Sequence, residues 1–248
     1  MTTSDTLPRI ERQRHELVRR TLTVSEITRL TPNMLRLVFS GPELEGFTST
    51  APDDHFKLIV PDADGEPVMR EYTPRVFDPE TLTLTVDFAL HDAGPATLWA
   101  KSVSVGDEAR IGGPRGSQTI TGPIRSWLLI GDETALPAIG RRLAELPADI
   151  PATSLVAVQG PEDEQPLPSP AQTLALWIHR DDPTDPAPFI ERLASLDLPE
   201  GTFVWIAAEA AVARAIRDAL EQRGHPLPWM KAAGYWIKGQ ADSSDKSM

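Results

Sequence analysis

The sequence contains no cysteine, which excludes disulfides, cysteine-ligated zinc and cysteine-ligated iron–sulfur clusters together. Any redox chemistry must therefore use a bound organic cofactor. Long apolar runs are also missing. Nothing approaches the length needed to cross a bilayer, and the first thirty residues carry arginines and acids in place of an apolar signal core. The expectation is a soluble, cytoplasmic protein that does not engage a membrane. Basic charge is scarce: the formal net charge is -12, with 13 Lys/Arg against 18 Asp/Glu up to residue 122 and 11 against 18 beyond it. Nucleic acid is therefore an unfavourable partner, and any anionic ligand needs a local basic pocket. The five histidines, His15, His55, His91, His179 and His225, show no pair at the spacing of a metal site. No metal is expected, and a monomer is the expected state.

What is present falls into two rhythms. From Arg20 to Ile111, short apolar alternations are separated by turn residues at Gly41-Pro42, Pro61 to Gly65 and Asp78-Pro79, the pattern of an antiparallel barrel or sandwich. Six strands are expected, around Leu22 and Val24, around Leu35 to Phe39, and at His55–Val60, Pro67–Tyr72, Leu82–Phe88 and Glu108–Ile111. A helix interrupts them over Gly94–Val103, with Pro95 suited to its first turn. After Thr121-Gly122-Pro123 the rhythm becomes strand, helix, strand, which predicts a parallel sheet with crossover helices. Strands are expected at Trp127–Ile130, Ser154–Val158, Thr173–Ile178, Phe203–Ala207 and Trp229–Ile237. Helices are expected at Ala135–Leu146, Pro188–Leu196 and Glu209–Arg223, the last ended by Gly224. The expected organisation is a two-domain β + α/β protein: a six-stranded antiparallel barrel over residues 1–122, with 1–18 loosely held, and a parallel-sheet α/β domain over 123–248 with a flexible tail from 240.

A small barrel followed by a parallel α/β domain is the layout of reductases that hold a flavin on the barrel and bring a nicotinamide from the second domain, an analogy of fold that residues must support. Four segments support it. In Arg70-Glu71-Tyr72-Thr73-Pro74-Arg75, strand alternation puts Arg70 and Tyr72 on one face and Thr73 on the other. The arginines can neutralise a diphosphate, the tyrosine can stack on an isoalloxazine, and the threonine can hydrogen-bond its edge. An exposed strand end with a surface salt bridge is the alternative. In Asp87 to Ala100, a strand passes through His91 into a helix whose free N–H groups at Gly94, Ala96 and Thr97 would suit the diphosphate. An ordinary helix start would look the same. In Gly112-Gly113-Pro114-Arg115-Gly116-Ser117, glycines allow close backbone approach and Arg115 supplies a cation, although a tight connecting turn reads equally well. In Gly131-Asp132-Glu133-Thr134-Ala135, a buried strand turns into a helix that Thr134 can cap, with N–H donors aimed at a dinucleotide. This is not the Gly-x-Gly-x-x-Gly fingerprint, and Asp132 with Glu133 would oppose a phosphate placed on them.

Taken in order, these segments resemble the siderophore-interacting protein family, a branch of the ferredoxin reductase-like superfamily, over roughly Arg20 to Gly239. Further marks are Ala207-Ala208-Glu209 with Arg214 and Arg217 on the following helix, then Gly234-Tyr235-Trp236. The resemblance implies FAD held without covalent attachment, NADH or NADPH as hydride donor, and delivery of electrons to a bound ferric siderophore, whose iron is loosened by reduction. It implies cofactor contacts at the positions named above, with Glu209 and Trp236 added. It also implies a basic substrate pocket from Lys57, Arg115 and a C-terminal cation. The family shows arginine directly after the Tyr-Trp pair, whereas this chain has Ile237 and then Lys238; on a strand Lys238 would point to the opposite face. No catalytic side chain is expected, because flavin-mediated transfer needs no general acid or base. Two other functions share these marks: a general flavin or ferredoxin-type reductase, and a siderophore-binding protein without enzymatic activity. The choice between NADH and NADPH stays open, with Arg180 available for a 2′-phosphate and Glu162, Asp163 and Glu164 placed to repel it.

Overall fold

The computed structural model describes residues 7–91, 94–240 and 245. It divides into two compact units, Glu11–Thr119 and Ile120–Met248 with Met1–Ile10. In chain order the elements of the first part are β1 (Arg9–Arg14), β2 (Arg19–Thr31), β3 (Met34–Ser40), β4 (Phe56–Pro61), β5 (Pro67–Tyr72), β6 (Val76–Asp78), β7 (Thr83–Ala89), α1 (Pro95–Ser102), β8 (Glu108–Gly112) and β9 (Gly116–Thr121).

Seven of these strands form one sheet in the order β5-β4-β8-β2-β3-β7-β6, one strand more than the alternation predicts. The three-residue β6 is too short to show a period. The pairings are antiparallel throughout, and alternate residues such as Leu22, Leu37, Phe56, Leu58, Val86 and Phe88 are buried together. The hydrogen-bonded ladder does not close: β5 and β6 are its two ends. One ring contact and one backbone hydrogen bond bridge that gap. The Tyr72 ring at the end of β5 lies 4.3 Å from the Phe88 ring of β7, and the Arg75 N–H donates to the Thr85 carbonyl.

Within the N-terminal segment, residues 9–14 form a strand. β1 pairs with β9 in a separate two-stranded ribbon, although all six side chains of β1 are exposed, so no apolar alternation marks it. Gly116 makes the pairing possible. A Cβ there would stand 2.3 Å from the Gln13 carbonyl oxygen, far inside contact distance. The close approach read from this glycine is thus to the chain's own backbone.

The second unit carries β10 (Ser126–Asp132), α2 (Leu136–Ala144), β11 (Ala152–Val158), β12 (Thr173–His179), α3 (Ala187–Ala194), β13 (Thr202–Glu209), α4 (Ala210–Gln222) and β14 (Met230–Trp236). Its sheet runs β12-β11-β10-β13-β14, parallel at every pairing. The chain moves outward from β10 to β12 and then returns to β13 on the other side, so the topological switch lies between β10 and β13. All eight residues of β13 are buried, as a central parallel strand requires. Gly224 ends α4 with φ 83°; its N–H and that of His225 reach back to the carbonyls of Glu221 and Leu220. Among the described residues no helix is long and apolar enough to cross a membrane.

Candidate cofactor and substrate sites

In the β unit, β5 is an edge strand whose core-side face carries Val68, Arg70 and Tyr72, opposite Val60, Leu58 and Phe56 of β4. An arginine on an apolar face is costly unless it reaches water or a ligand at the edge. Among the described residues Arg70 pairs with no carboxylate, and its Nη1 donates to the Met69 carbonyl at 2.8 Å. Burial raises the Tyr72 phenol above its ordinary value, and the nearby Arg70 cation pulls it partly back. Thr73, next along, is buried at 7 % exposure.

Asp87 and Arg75 lie on the opposite, outer face. Asp87 is held by Arg36, whose Nε and Nη2 donate to its two oxygens at 2.6 and 2.8 Å, and Arg75 stands 3.9 Å away. Asp87 thus lies between two guanidiniums, those of Arg36 and Arg75. Arg36 escapes a reading of the sequence because only the register of β3 against β7 places it opposite Asp87.

Helix α1 begins at Pro95 after Gly94, and among the described residues no side chain caps it. The first N–H groups of a helix, here those of Ala96 and Thr97, have no partner within it. Exposed His91 precedes this start, and a Cβ on Gly94 would meet its ring at 3.3 Å. Asp92 and Ala93 of the expected phosphate loop lie outside the described residues. An unpaired arginine on an apolar edge, an aromatic ring backed by a second ring and an uncapped helix start together fit the phosphate and ring system of a flavin dinucleotide.

Ser117 is occupied internally. Its hydroxyl donates to Asp54 at 2.6 Å, accepts from the Thr50 N–H, and meets His15 Nε2 at 2.8 Å. Arg115 is exposed, and among the described residues its side chain has no ion pair. Lys57 faces outward from β4, with its ammonium 3.3 Å from Glu71, which His55 also approaches at 3.6 Å.

In the α/β unit, the carboxyl ends of the strands meet at Asp132, which is fully buried. One of its oxygens accepts from the N–H and hydroxyl of Thr134. The other accepts from the Glu209 N–H at 3.0 Å and Trp236 Nε1 at 2.9 Å. The expected cap by Thr134 is thereby corrected: α2 starts later, after Ala135, because the Thr134 hydroxyl turns back to Asp132. Glu209 caps α4 instead, accepting from the N–H groups of Ala211 and Val212. Gly131 has a packing reason, since a Cβ would stand 2.5 Å from that of Ala135 and 2.7 Å from the Ala207 carbonyl. Lys238 also departs from expectation. β14 ends at Trp236, and Lys238 sits in a turn in which the Gln240 N–H bonds the Ile237 carbonyl, so strand alternation does not fix its direction. Its ammonium stands 3.6 Å from Asp182.

Glu133 adjoins this network. Burial and the neighbouring Asp132 push its carboxyl up to about 7 from an ordinary 4.5, against the opposing pull of Arg180, whose Nη2 is 3.1 Å from it. The folded protein thus holds this proton more tightly than the unfolded chain. The stabilisation is fully present below about pH 4.5 and is lost as pH rises through about 7. We expect Glu133→Gln to remove about 2 kcal/mol of the stability lost between pH 5 and pH 8.5, measured by urea unfolding across that range. Parallel pH profiles for the two proteins would refute this assignment.

Two family models match the chain, "Siderophore-interacting FAD-binding domain" over residues 23–67 and 60–118 and "Siderophore-interacting protein" over residues 124–239. An NADPH-dependent ferric-chelate reductase of Escherichia coli is 30% identical, with 91% of this chain and 96% of that protein covered. Among solved structures, a siderophore utilization protein from T. fusca superposes with TM-score 0.86 at 33% identity, covering 97% of this chain and 100% of that one. The siderophore-interacting protein SipS from Aeromonas hydrophila superposes with TM-score 0.77 at 30% identity, covering 90% and 92%. The ordered motifs, the antiparallel sheet joined to a parallel α/β sheet, and these matches along nearly the whole chain agree: the chain belongs to the siderophore-interacting protein family.

Proposed function

We propose that this protein is an FAD-dependent ferric-siderophore reductase that takes electrons from a reduced nicotinamide and releases iron as Fe(II) for assimilation in the cytoplasm, acting as a monomer. The observation that carries the reading is the β5 edge, where unpaired Arg70 and ring-backed Tyr72 share one face within the stretch matched by the FAD-binding family model. The ferric-chelate reductase of E. coli is similar over almost the full length of both chains, which supports the same chemistry here.

In this reading the Glu11–Thr119 unit binds FAD and the α/β unit binds the nicotinamide. Arg70 neutralises the diphosphate together with the uncapped start of α1, and Tyr72, backed by Phe88, orients the ring system. Thr73, on the strand's other face, offers a short hydroxyl to a ring edge. Asp87 holds Arg36 and Arg75 in place beside this edge. At the carboxyl ends of the parallel strands, Asp132 fixes Trp236 and the Glu209 turn, which gives the nicotinamide a rigid floor. Lys57 and Arg115 are the cations that the Glu11–Thr119 unit offers to an anionic ferric chelate, and Lys238 is the cation that the α/β unit offers. Bound FAD would supply the conversion from a two-electron donor to one-electron delivery, so one nicotinamide serves two ferric ions.

The test is anaerobic incubation with NADH or NADPH, a ferric siderophore and a ferrous-specific chelator. Two ferrous complexes should form for each nicotinamide oxidised, and formation should depend on FAD. Turnover of free flavins or carrier proteins with no turnover across several ferric siderophores would replace this reading with a general flavin reductase. A protein that takes up siderophore but no FAD would replace it with a binding protein.

A further inference from the structure

The ends of β11 and β12 carry an unusual charge pattern. From Val158 to Pro186 the sequence has six acids, Glu162, Asp163, Glu164, Asp181, Asp182 and Asp185, against two basic side chains, His179 and Arg180. Both bases are already engaged. His179 Nε2 meets Glu164 at 2.9 Å. Arg180, whose side chain is 5 % exposed, lies 3.1 Å from Glu133 and 3.7 Å from Asp132, and its buried Nε has no hydrogen-bond partner.

Position gives this pattern its meaning. In an open parallel sheet a dinucleotide lies across the carboxyl ends at the topological switch, and the adenosine ribose is read at the end of the strand that follows the first crossover helix. Here that strand is β11, reached from β10 through α2, with β12 beside it. NADPH differs from NADH by a phosphate monoester at the ribose 2′ position, which adds between one and two negative charges. Such a group needs a free cation, and the two bases of this segment are tied to carboxylates. An unphosphorylated ribose needs only a hydrogen-bond acceptor for its 2′-hydroxyl, which a carboxylate supplies.

We propose that this protein discriminates against the 2′-phosphate and takes NADH as its electron donor, with Glu133 withholding Arg180 from that phosphate. The inference rests on the nicotinamide role proposed above for the α/β unit, and it separates this chain from the NADPH-dependent reductase it resembles. Each NADH oxidised to NAD+ gives up a hydride, whose two electrons reduce two ferric ions to Fe(II) and whose proton is released to water.

The experiment measures donor choice in two ways on the purified protein. NAD+ and NADP+ are titrated in parallel by saturation-transfer NMR, and anaerobic bleaching of the flavin band is followed with NADH and NADPH. Like-charge contacts cost enough to set a wide gap, so NAD+ should bind, and NADH should react, at least about tenfold better than the phosphorylated form. Glu133→Gln, which removes one of the two carboxylates facing Arg180, should narrow the ratio about fivefold. Glu162→Lys, on an exposed side chain, should narrow it without touching the buried network. NADPH used equally or better by the wild type would overturn the inference while leaving the nicotinamide role intact. A ratio unmoved by both variants would overturn the part given to these carboxylates. If neither nucleotide binds nor bleaches the flavin, the donor role itself falls, and this inference with it.

Discussion

Replacing Asp132 with alanine is expected to destabilise the α/β unit by about 3–5 kcal/mol. The carboxylate is fully buried and accepts four hydrogen bonds, from the Thr134 N–H and hydroxyl, the Glu209 N–H and the Trp236 indole. Its removal leaves those donors unmet away from water, and it also takes one of the two carboxylates facing Arg180. Asparagine tells more than alanine. All four partners donate, so an amide NH2 in place of one oxygen faces donors and cannot replace the acceptor. Asp132→Asn should therefore lose most of what alanine loses, and the near-ultraviolet dichroism of Trp236 should change in both. Urea unfolding decides the matter: an asparagine variant within about 1 kcal/mol of wild type would show that the network tolerates a neutral acceptor.

Flavin retention should fall by about tenfold in Arg70→Ala and by at least as much in Tyr72→Ala, since a charge-assisted phosphate contact and an aromatic face are each worth about 1–3 kcal/mol. The two losses have different origins. Arg70 sits on the apolar face of an edge strand with, among the described residues, the Met69 carbonyl as its one hydrogen-bond partner, so its removal costs the fold little. Tyr72 packs on Phe88 at 4.3 Å, so alanine there also opens the gap between β5 and β7. Tyr72→Phe separates these effects: it keeps the ring and should retain flavin nearly as well as wild type. Fluorescence titration of FAD into stripped protein measures all three. Unchanged FAD affinity in both alanine variants would remove the site from this edge.

Within the β unit, the strands Pro67–Tyr72 and Glu108–Ile111 could be placed closely from the sequence because alternation and turn residues act over a few neighbours. β1 could not. Its side chains are all exposed, and what holds it is backbone pairing to β9 across about a hundred residues, permitted by a missing Cβ at Gly116. The motif at Arg70 to Thr73 was legible as a candidate flavin edge because strand parity alone sorts its side chains. The partners of Asp87 were not legible, since Arg36 reaches it only through the β3–β7 register.

The ends of the parallel strands show the same division. The sequence places Asp132 and Thr134 just past a buried strand, and the family resemblance adds Glu209 and Trp236 as neighbours of a dinucleotide. It cannot say how they are used. Asp132 and Glu209 look there like residues that would contact or repel a ligand, whereas the folded chain ties Asp132 to the Glu209 N–H at the end of the neighbouring strand and Glu209 to the first N–H groups of its own helix. The absence of cysteine, the acidic charge and the ordered motifs determined the class of chemistry, because each is a property of composition or local order. Which arginines are free and which are held by carboxylates was decided by tertiary structure alone, because an ion pair depends on distance across the sheet, and distance across a sheet is set by topology.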